Sequence, residues 1–386
     1  MWRLPLATLI VLAVSLIANS CGLVEARLAP PVRLVGGRTA TTVPTSSPLP
    51  SPTATATPSP TPTPSPTPVG GGWGNTKPNE LGRIMILEYH LLGPEEDRWT
   101  RSYDNFWHDL ETLYAQGYRP IGLSDLIDNR IDVPAGLSPV VLTFDDSSPL
   151  QFRFVADGSG GLVVDPLSAV GMLERFHALH ADFPLKGTFF VLPGADPPHD
   201  LFGQEGLKER KLQYLVGKGF ELGNHTFWHQ RLDTLANQEE VQKQLGLAVR
   251  AIETAVPGYV VRALALPLGL FPANPLWARE GSYNGTAYRH DAILLATGGS
   301  APAPDHREFD PYNLPRIQAT NMELDFEEVY LGYFADNPSE RYVSDGDPDV
   351  VVFPRERESS YLARGDHREV ALPPGLAGAF RAVRLR

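Results

Sequence analysis

Val140-Val141-Leu142-Thr143-Phe144-Asp145-Asp146 decides the reading of this chain. Its first five residues are apolar or β-branched and of strand length. Two adjacent carboxylates then close the run. Neighbouring side chains on an extended chain point to opposite sides, so one carboxylate can hold a metal while the other faces a substrate. Further on, His225-Thr226-Phe227-Trp228-His229 sets two imidazoles four residues apart. They face the same way in a helix or a tight loop. One carboxylate and two imidazoles leave positions open on an ion, as catalytic zinc sites require. Zinc is the default divalent ion, and Co2+ or Ni2+ suits the same ligands. Each motif also has a plain reading: an Asp pair after a strand is often a helix N-cap, and a His pair is often only hydrogen-bonded. The histidine spacing fits a metalloprotease helix too, but that chemistry needs Glu after the first His, where Thr226 stands.

Around these motifs, strands and helices alternate. Ile84-Met85-Ile86-Leu87, Val140 to Phe144, Gly187 to Leu192, Phe220 to Gly223, Ala263 to Leu266 and Ala292 to Ala296 read as strands. Phe106, Leu110, Leu113 and Tyr114 share a helical face, as do Val170, Leu173, Phe176 and Leu179, and Val241, Leu245, Ala248 and Ile252. Leu207 to Val216 reads as a further helix before Gly217 and Gly219. The alternation predicts an α/β fold, a mainly parallel sheet covered by helices, with closure into a barrel as one form of it. In such a barrel active residues sit at the C-terminal ends of strands. Tyr89-His90, Asp145-Asp146, Asn224-His225 and Pro267-Leu268-Gly269 all fall there.

The chain has 386 residues, a formal charge of −12 and one cysteine. The acidic balance, without a basic stripe, argues against a nucleic-acid partner, and one cysteine permits no internal disulfide. That cysteine follows a basic start, Met1-Trp2-Arg3, and an apolar stretch from Leu4 to Ala18. The stretch fits a secretory signal, and Cys21 behind it resembles a bacterial lipobox, with lipid on the sulfur. The expected location is the cell surface, lipid-anchored to the outer face of a bacterial membrane; an ordinary signal and a secreted protein is the alternative. From Thr39 to Val69 the chain is almost wholly Pro, Thr, Ser and Ala. Such a segment cannot bury a core and predicts a disordered, extended stalk of at most about 90 Å. The expected organisation is a signal segment (1–21), a linker (22–79), a catalytic barrel (80–325) and a C-terminal extension (326–386), a small β element or a tail. A monomer is expected.

These motifs resemble the polysaccharide deacetylases, the NodB-homology or carbohydrate esterase family 4 group. Thr143-Phe144-Asp145-Asp146 resembles the first family motif, and His225-Thr226-Phe227-Trp228-His229 the second. Gly187 to Val191 resembles the strand between them, and Leu87-Glu88-Tyr89-His90 the family's opening. The resemblance covers about Arg83 to Ile317. It implies a distorted (β/α) barrel of about seven parallel strands. Asp146, His225 and His229 would be the metal ligands, and Asp145 the general base for the attacking water. The Leu268 amide would help hold the oxyanion. Tyr89 and Trp228 are candidate substrate contacts. Ala265 stands where many members have Arg, as in a branch with an Ala-x-Pro-x-Gly third motif. Asp310 to Ile317 resembles that branch's closing segment, and Arg316 is expected to supply the missing positive charge. No Leu-x-His motif is evident near Ile293 to Ala296, so the catalytic acid falls to His90, with His290 and His306 as alternatives. The implied activity is hydrolysis of N-acetyl groups on an acetylated, N-acetylglucosamine-containing polysaccharide. The alternatives are an O-acetyl esterase of the xylan type and a catalytically silent glycan-binding lipoprotein. The insertion between Ser147 and Lys186 is expected to be a hairpin beside the cleft or a surface loop.

Overall fold

Seven strands close into a parallel barrel: β1 (Arg83–Tyr89), β2 (Ser138–Phe144), β3 (Thr188–Val191), β4 (Glu221–Asn224), β5 (Ala263–Ala265), β6 (Ala292–Gly298) and β7 (Leu314–Gln318). Each pairs with the next, and β1 closes the ring by pairing with both β2 and β7. This computed structural model describes residues 77–320, 327–363, 367–372 and 374–385. Cys21, the signal segment and nearly all of the linker lie outside the described residues.

The parity of β1 explains both layers of the core. Ile84 and Ile86 point into the barrel and pack with Val141, Phe190, Ala265, Leu294 and Leu314. Met85, Leu87 and Tyr89 point outward and pack with Phe144, Phe189 and the helices. Each such side chain contributes roughly 1.5–3 kcal/mol by leaving water. The helices start where a side-chain oxygen caps them: Ser102 before α1 (Tyr103–Ala115), Ser168 before α2 (Ala169–Leu179) and Asn237 before α4 (Gln238–Ala255). Between them α3 (Lys208–Lys218) stops at Gly219, whose φ of +91° suits glycine. The chain then turns directly into β4.

Two parallel strands of the main sheet escaped the sequence reading: Tyr118–Ile121, which flanks β2 outside the ring, and β7 itself. In the insertion, Phe154–Ala156 and Leu162–Val164 form a hairpin. Gln204 holds its base, accepting from Phe154 N at 2.9 Å and donating to Phe154 O at 2.7 Å. The described C-terminal residues include a three-stranded sheet, in which Phe380–Arg384 lies between Val350–Pro354 and Arg368–Glu369. Glu80, just before β1, ties that sheet to the barrel. Its buried carboxylate accepts from Val352 N at 2.6 Å and from Asp345 N at 3.1 Å.

Candidate metal centre

The barrel interior changes character at its upper end. Above Ile84 and Ile86 the next inward position of β1 is Glu88. Above Val141 come Thr143 and Asp145, and above Leu314 comes Arg316. All four polar side chains are buried. Glu88 and Asp145 form the floor of a cavity of about 340 Å³ that is also lined by His90, Trp99, Asp146, His199, His225, His229 and Leu268, among others, while Thr143 and Arg316 are not part of its lining.

Asp145 leaves β2 on the inward side. Arg316 grips both of its oxygens, Nη1 to Oδ1 at 2.9 Å and Nη2 to Oδ2 at 2.7 Å. Burial alone would raise this carboxyl, but the Arg316 guanidinium outweighs it and holds Asp145 well below the usual carboxylate range. Asp145 is therefore an anion at neutral pH.

Asp146 turns the other way, at φ +74°. Its Oδ1 lies 3.3 Å from Nε2 of His225 and 3.3 Å from Nε2 of His229. That oxygen is buried and has no hydrogen-bond partner. His225 Nδ1 meets the Ala265 carbonyl at 2.9 Å. A proton on Nδ1 leaves the Nε2 lone pair aimed at Asp146, the arrangement usual for a metal-ligating imidazole. An orphaned carboxylate oxygen and two converging imidazole nitrogens suit a divalent ion of the zinc type. Burial opposes charge on His225, yet the Asp145 and Asp146 anions draw its pKa up, whereas burial and the neighbouring His225 lower that of His229.

The histidine segment is a loop, which decides the tight-loop alternative over the helix. Thr226 and His229 have φ of +68° and +54°, and Asp146 and Ser147 are also left-handed. Such backbone costs of order 1–3 kcal/mol per residue and persists only where its surroundings fix it. Here Thr226 N donates to Asn224 Oδ1 at 2.9 Å, and Gln230 N to Thr226 Oγ1 at 3.0 Å. Asn224 is braced in turn by the Leu245 carbonyl and by His290 Nε2, each at 3.2 Å. Leu192 N donates to Ser147 Oγ at 2.8 Å.

Of the residues singled out from sequence, the fold gathers Asp145, Asp146, His225, His229, His90 and Leu268 around one cavity, with Arg316 beneath Asp145. Leu268 sits at φ +58° in the turn after β5, and its side chain is half-exposed. Four other placements differ from expectation. Tyr89 faces outward: its hydroxyl donates to Asp109 at 3.1 Å and its ring stacks on Phe144, so it cannot touch substrate. Trp228 stands outside the cavity, edge-on to Phe227 with Lys243 over its ring. His290 is a buried strut between Asn224 and the Ala278 carbonyl. His306 lies beside Glu308, away from the cavity. Of the three acid candidates only His90 reaches the site; its Nε2 is 3.8 Å from Glu88 Oε1.

Of the site residues missed from sequence, three bear on how it is held together. Glu88 is 1% exposed, 2.6 Å from Arg316 Nη2, and burial pushes its carboxyl up to about 8 although Arg316 opposes this. Glu88 stands in an otherwise apolar strand, and that was the signal available. Gln151, in the insertion, donates to the carbonyls of both His90 and Asp145, tying the ends of β1 and β2 together. His199 lines the cavity with Nδ1 3.2 Å from the Asp146 carbonyl. Nothing in its local sequence marks it.

The fold and site together define a barrel protein with one carboxylate and two imidazoles clustered at the C-terminal mouth of seven parallel strands, and a second carboxylate beside them. Residues 133–281 match the family model described as polysaccharide deacetylase. Over that stretch the chain is similar to the polysaccharide deacetylases, hydrolases of the NodB and carbohydrate esterase 4 type. The matched stretch contains the Asp145-Asp146 and His225-His229 motifs, while Glu88, His90 and Arg316 lie outside it. Among solved structures the chain is similar to the Streptococcus pyogenes deacetylase PplD in complex with acetate, at 20% identity over 62% of this chain and 94% of that one, with a TM-score of 0.46. It is similar to BC0361, a polysaccharide deacetylase from Bacillus cereus, at 18% identity over 64% and 67%, with a TM-score of 0.43. A third is IcaB from Ammonifex degensii, at 17% identity over 62% and 93%, with a TM-score of 0.43.

Proposed function

We propose that the chain hydrolyses N-acetyl groups on an extracellular, N-acetylglucosamine-containing polysaccharide, using one divalent ion held by Asp146, His225 and His229. One observation carries this reading: an arginine-gripped carboxylate, Asp145, stands beside a three-ligand cluster with an unsatisfied buried oxygen, in one open cavity. A bound divalent ion supplies Lewis acidity there, making water a better nucleophile and polarising the acetyl carbonyl. Asp145 takes the proton from the attacking water, and Arg316 keeps that carboxylate charged and fixed in direction. The Leu268 amide, at the cavity wall, is the backbone donor proposed for the developing oxyanion. His90 stands on the same cavity wall and is the candidate to protonate the leaving nitrogen. The polymer is proposed to lie outside the cell because of the signal-like start and the Pro/Thr/Ser stalk; lipid on Cys21 would tether the domain to the membrane surface.

A second reading, O-acetyl ester hydrolysis, has one observation in its favour. Burial lowers the pKa of His90, which disfavours the protonated form that a catalytic acid needs. An ester's leaving alkoxide makes smaller demands on an acid than an amide's nitrogen does. Acetate release from N-acetylglucosamine oligomers and from acetylated xylan, by metal-loaded wild type and Asp145→Asn, decides between the two. Release from the first and not the second supports the amide reading. Release from neither leaves a glycan-binding protein.

A further inference from the structure

Arg316 has five N–H donors and is fully buried, so no water can complete its shell. Nε donates to the Leu295 carbonyl at 2.6 Å. Nη1 donates to Thr143 Oγ1 at 3.2 Å and Asp145 Oδ1 at 2.9 Å. Nη2 donates to Asp145 Oδ2 at 2.7 Å and also lies 2.6 Å from Glu88 Oε1. The topology explains why Glu88 stands there. β1 is the strand between β2, which carries Asp145, and β7, which carries Arg316. On it Glu88 stands level with Thr143 on one side and Gln318 on the other. A side chain at this inward position is the one that can meet the guanidinium edge turned away from Asp145.

We propose that Glu88 is a positioning residue for the base: by accepting the fifth N–H of Arg316 it fixes the plane in which the guanidinium grips Asp145. Glu88 is not one of the three proposed metal ligands; it lines the cavity near Asp145 and His90, and its proposed effect on the base runs through Arg316. An apolar residue here leaves a buried N–H unpaired and frees the guanidinium to rotate off the two-pronged contact. The proposal rests on Asp145 being the base.

The experiment compares Glu88→Gln, Glu88→Leu and Glu88→Asp in the metal-loaded full chain, reading kcat and KM for acetate release from N-acetylglucosamine oligomers together with metal content. Gln keeps an acceptor oxygen at the same reach, and its kcat stays within about threefold of wild type. Leu loses about tenfold or more in kcat with KM and metal content unchanged, the pattern of a transition-state loss. Wild-type kcat in the Leu variant, or a fall in the Gln variant as deep as in Leu, overturns the proposal. If the Leu variant does not fold, Asp carries the test: its shorter arm withdraws the oxygen and lowers kcat, and unchanged kcat overturns the proposal. A readout independent of catalysis is the NMR of the Arg316 guanidinium. Its Nη protons are resolved in wild type and Gln but averaged by rotation in Leu or Asp. Equal spectra in all four proteins refute the positioning role whether or not wild type releases acetate.

Discussion

Replacing Arg316 by Met tests the electrostatic floor of the site. The substitution keeps an unbranched apolar stem and removes the guanidinium. Asp145 loses two charge-assisted hydrogen bonds and Glu88 loses the guanidinium beside it, all at positions no more than 1% exposed. Two carboxyls are then left against each other at the barrel centre without a cation. Breaking a buried pair in this way costs about 3–5 kcal/mol. The sign with pH follows from the shifts. In wild type Asp145 is depressed, so its contribution is present above its unfolded-state pKa and is lost only as pH falls through the folded value. In the Met variant the depressing partner is gone and burial raises the carboxyl, so protonation relieves the penalty as pH falls. Urea unfolding of metal-free protein should therefore show the variant about 3–5 kcal/mol less stable at pH 8 and measurably closer to wild type at pH 5. A difference under about 1 kcal/mol at pH 8, or a gap that widens at pH 5, refutes the reasoning. Arg316→Lys should rescue little, because one ammonium cannot span both Asp145 oxygens while reaching Glu88.

Other outcomes follow from the same geometry. His229→Ala and Asp146→Ala should each lose bound divalent ion by elemental analysis, whereas Asp145→Asn should keep it and lose activity; retained metal in the Asp146 variant contradicts the ligand set. His290 is buried and neutral, with its pKa lowered to about 4 by burial. Its stabilising effect is full above about 6.5 and is lost as pH falls toward 4, of order 3 kcal/mol. His290→Gln should flatten the fall of unfolding free energy between pH 7 and 4.5, and an unchanged slope rejects the assignment. Gly223, just before Asn224-His225, has space for hydrogen only, since a Cβ there would meet the Phe190 ring at 2.3 Å. Gly223→Ala should cost about 1–3 kcal/mol by overpacking, read as a lowered melting temperature; unchanged melting refutes it.

The chemistry was legible in the sequence where it lay in contiguous motifs. Asp145-Asp146 and His225-His229 each carry their own spacing, and the apolar run before Asp145 marks the strand that presents it. What needs ring closure was not legible. β1 is apolar at 84, 85, 86 and 87, because both faces of a barrel strand are buried. A run without alternation does not say which parity points inward, so Tyr89 was given the substrate and Glu88 was passed over. Only the pairing of β1 with both β2 and β7 puts Glu88 inside. Trp228 was misplaced for a related reason: the left-handed residues on either side of it turn the loop so that His225 and His229 face inward and the indole does not. His199 and Gln151 reach the site from loops whose course depends on the packing around them.

The central claim is that Asp145 works as a base beside one divalent ion held by Asp146, His225 and His229. The most direct measurement is acetate release from N-acetylglucosamine oligomers by the full chain, stripped with chelator and then reloaded with one equivalent of Zn2+ or Co2+, wild type against Asp145→Asn. The account expects no release from the stripped protein, recovery at one ion per chain, and no recovery in Asp145→Asn despite equal metal content. Release that persists after stripping, or that survives Asp145→Asn, contradicts it.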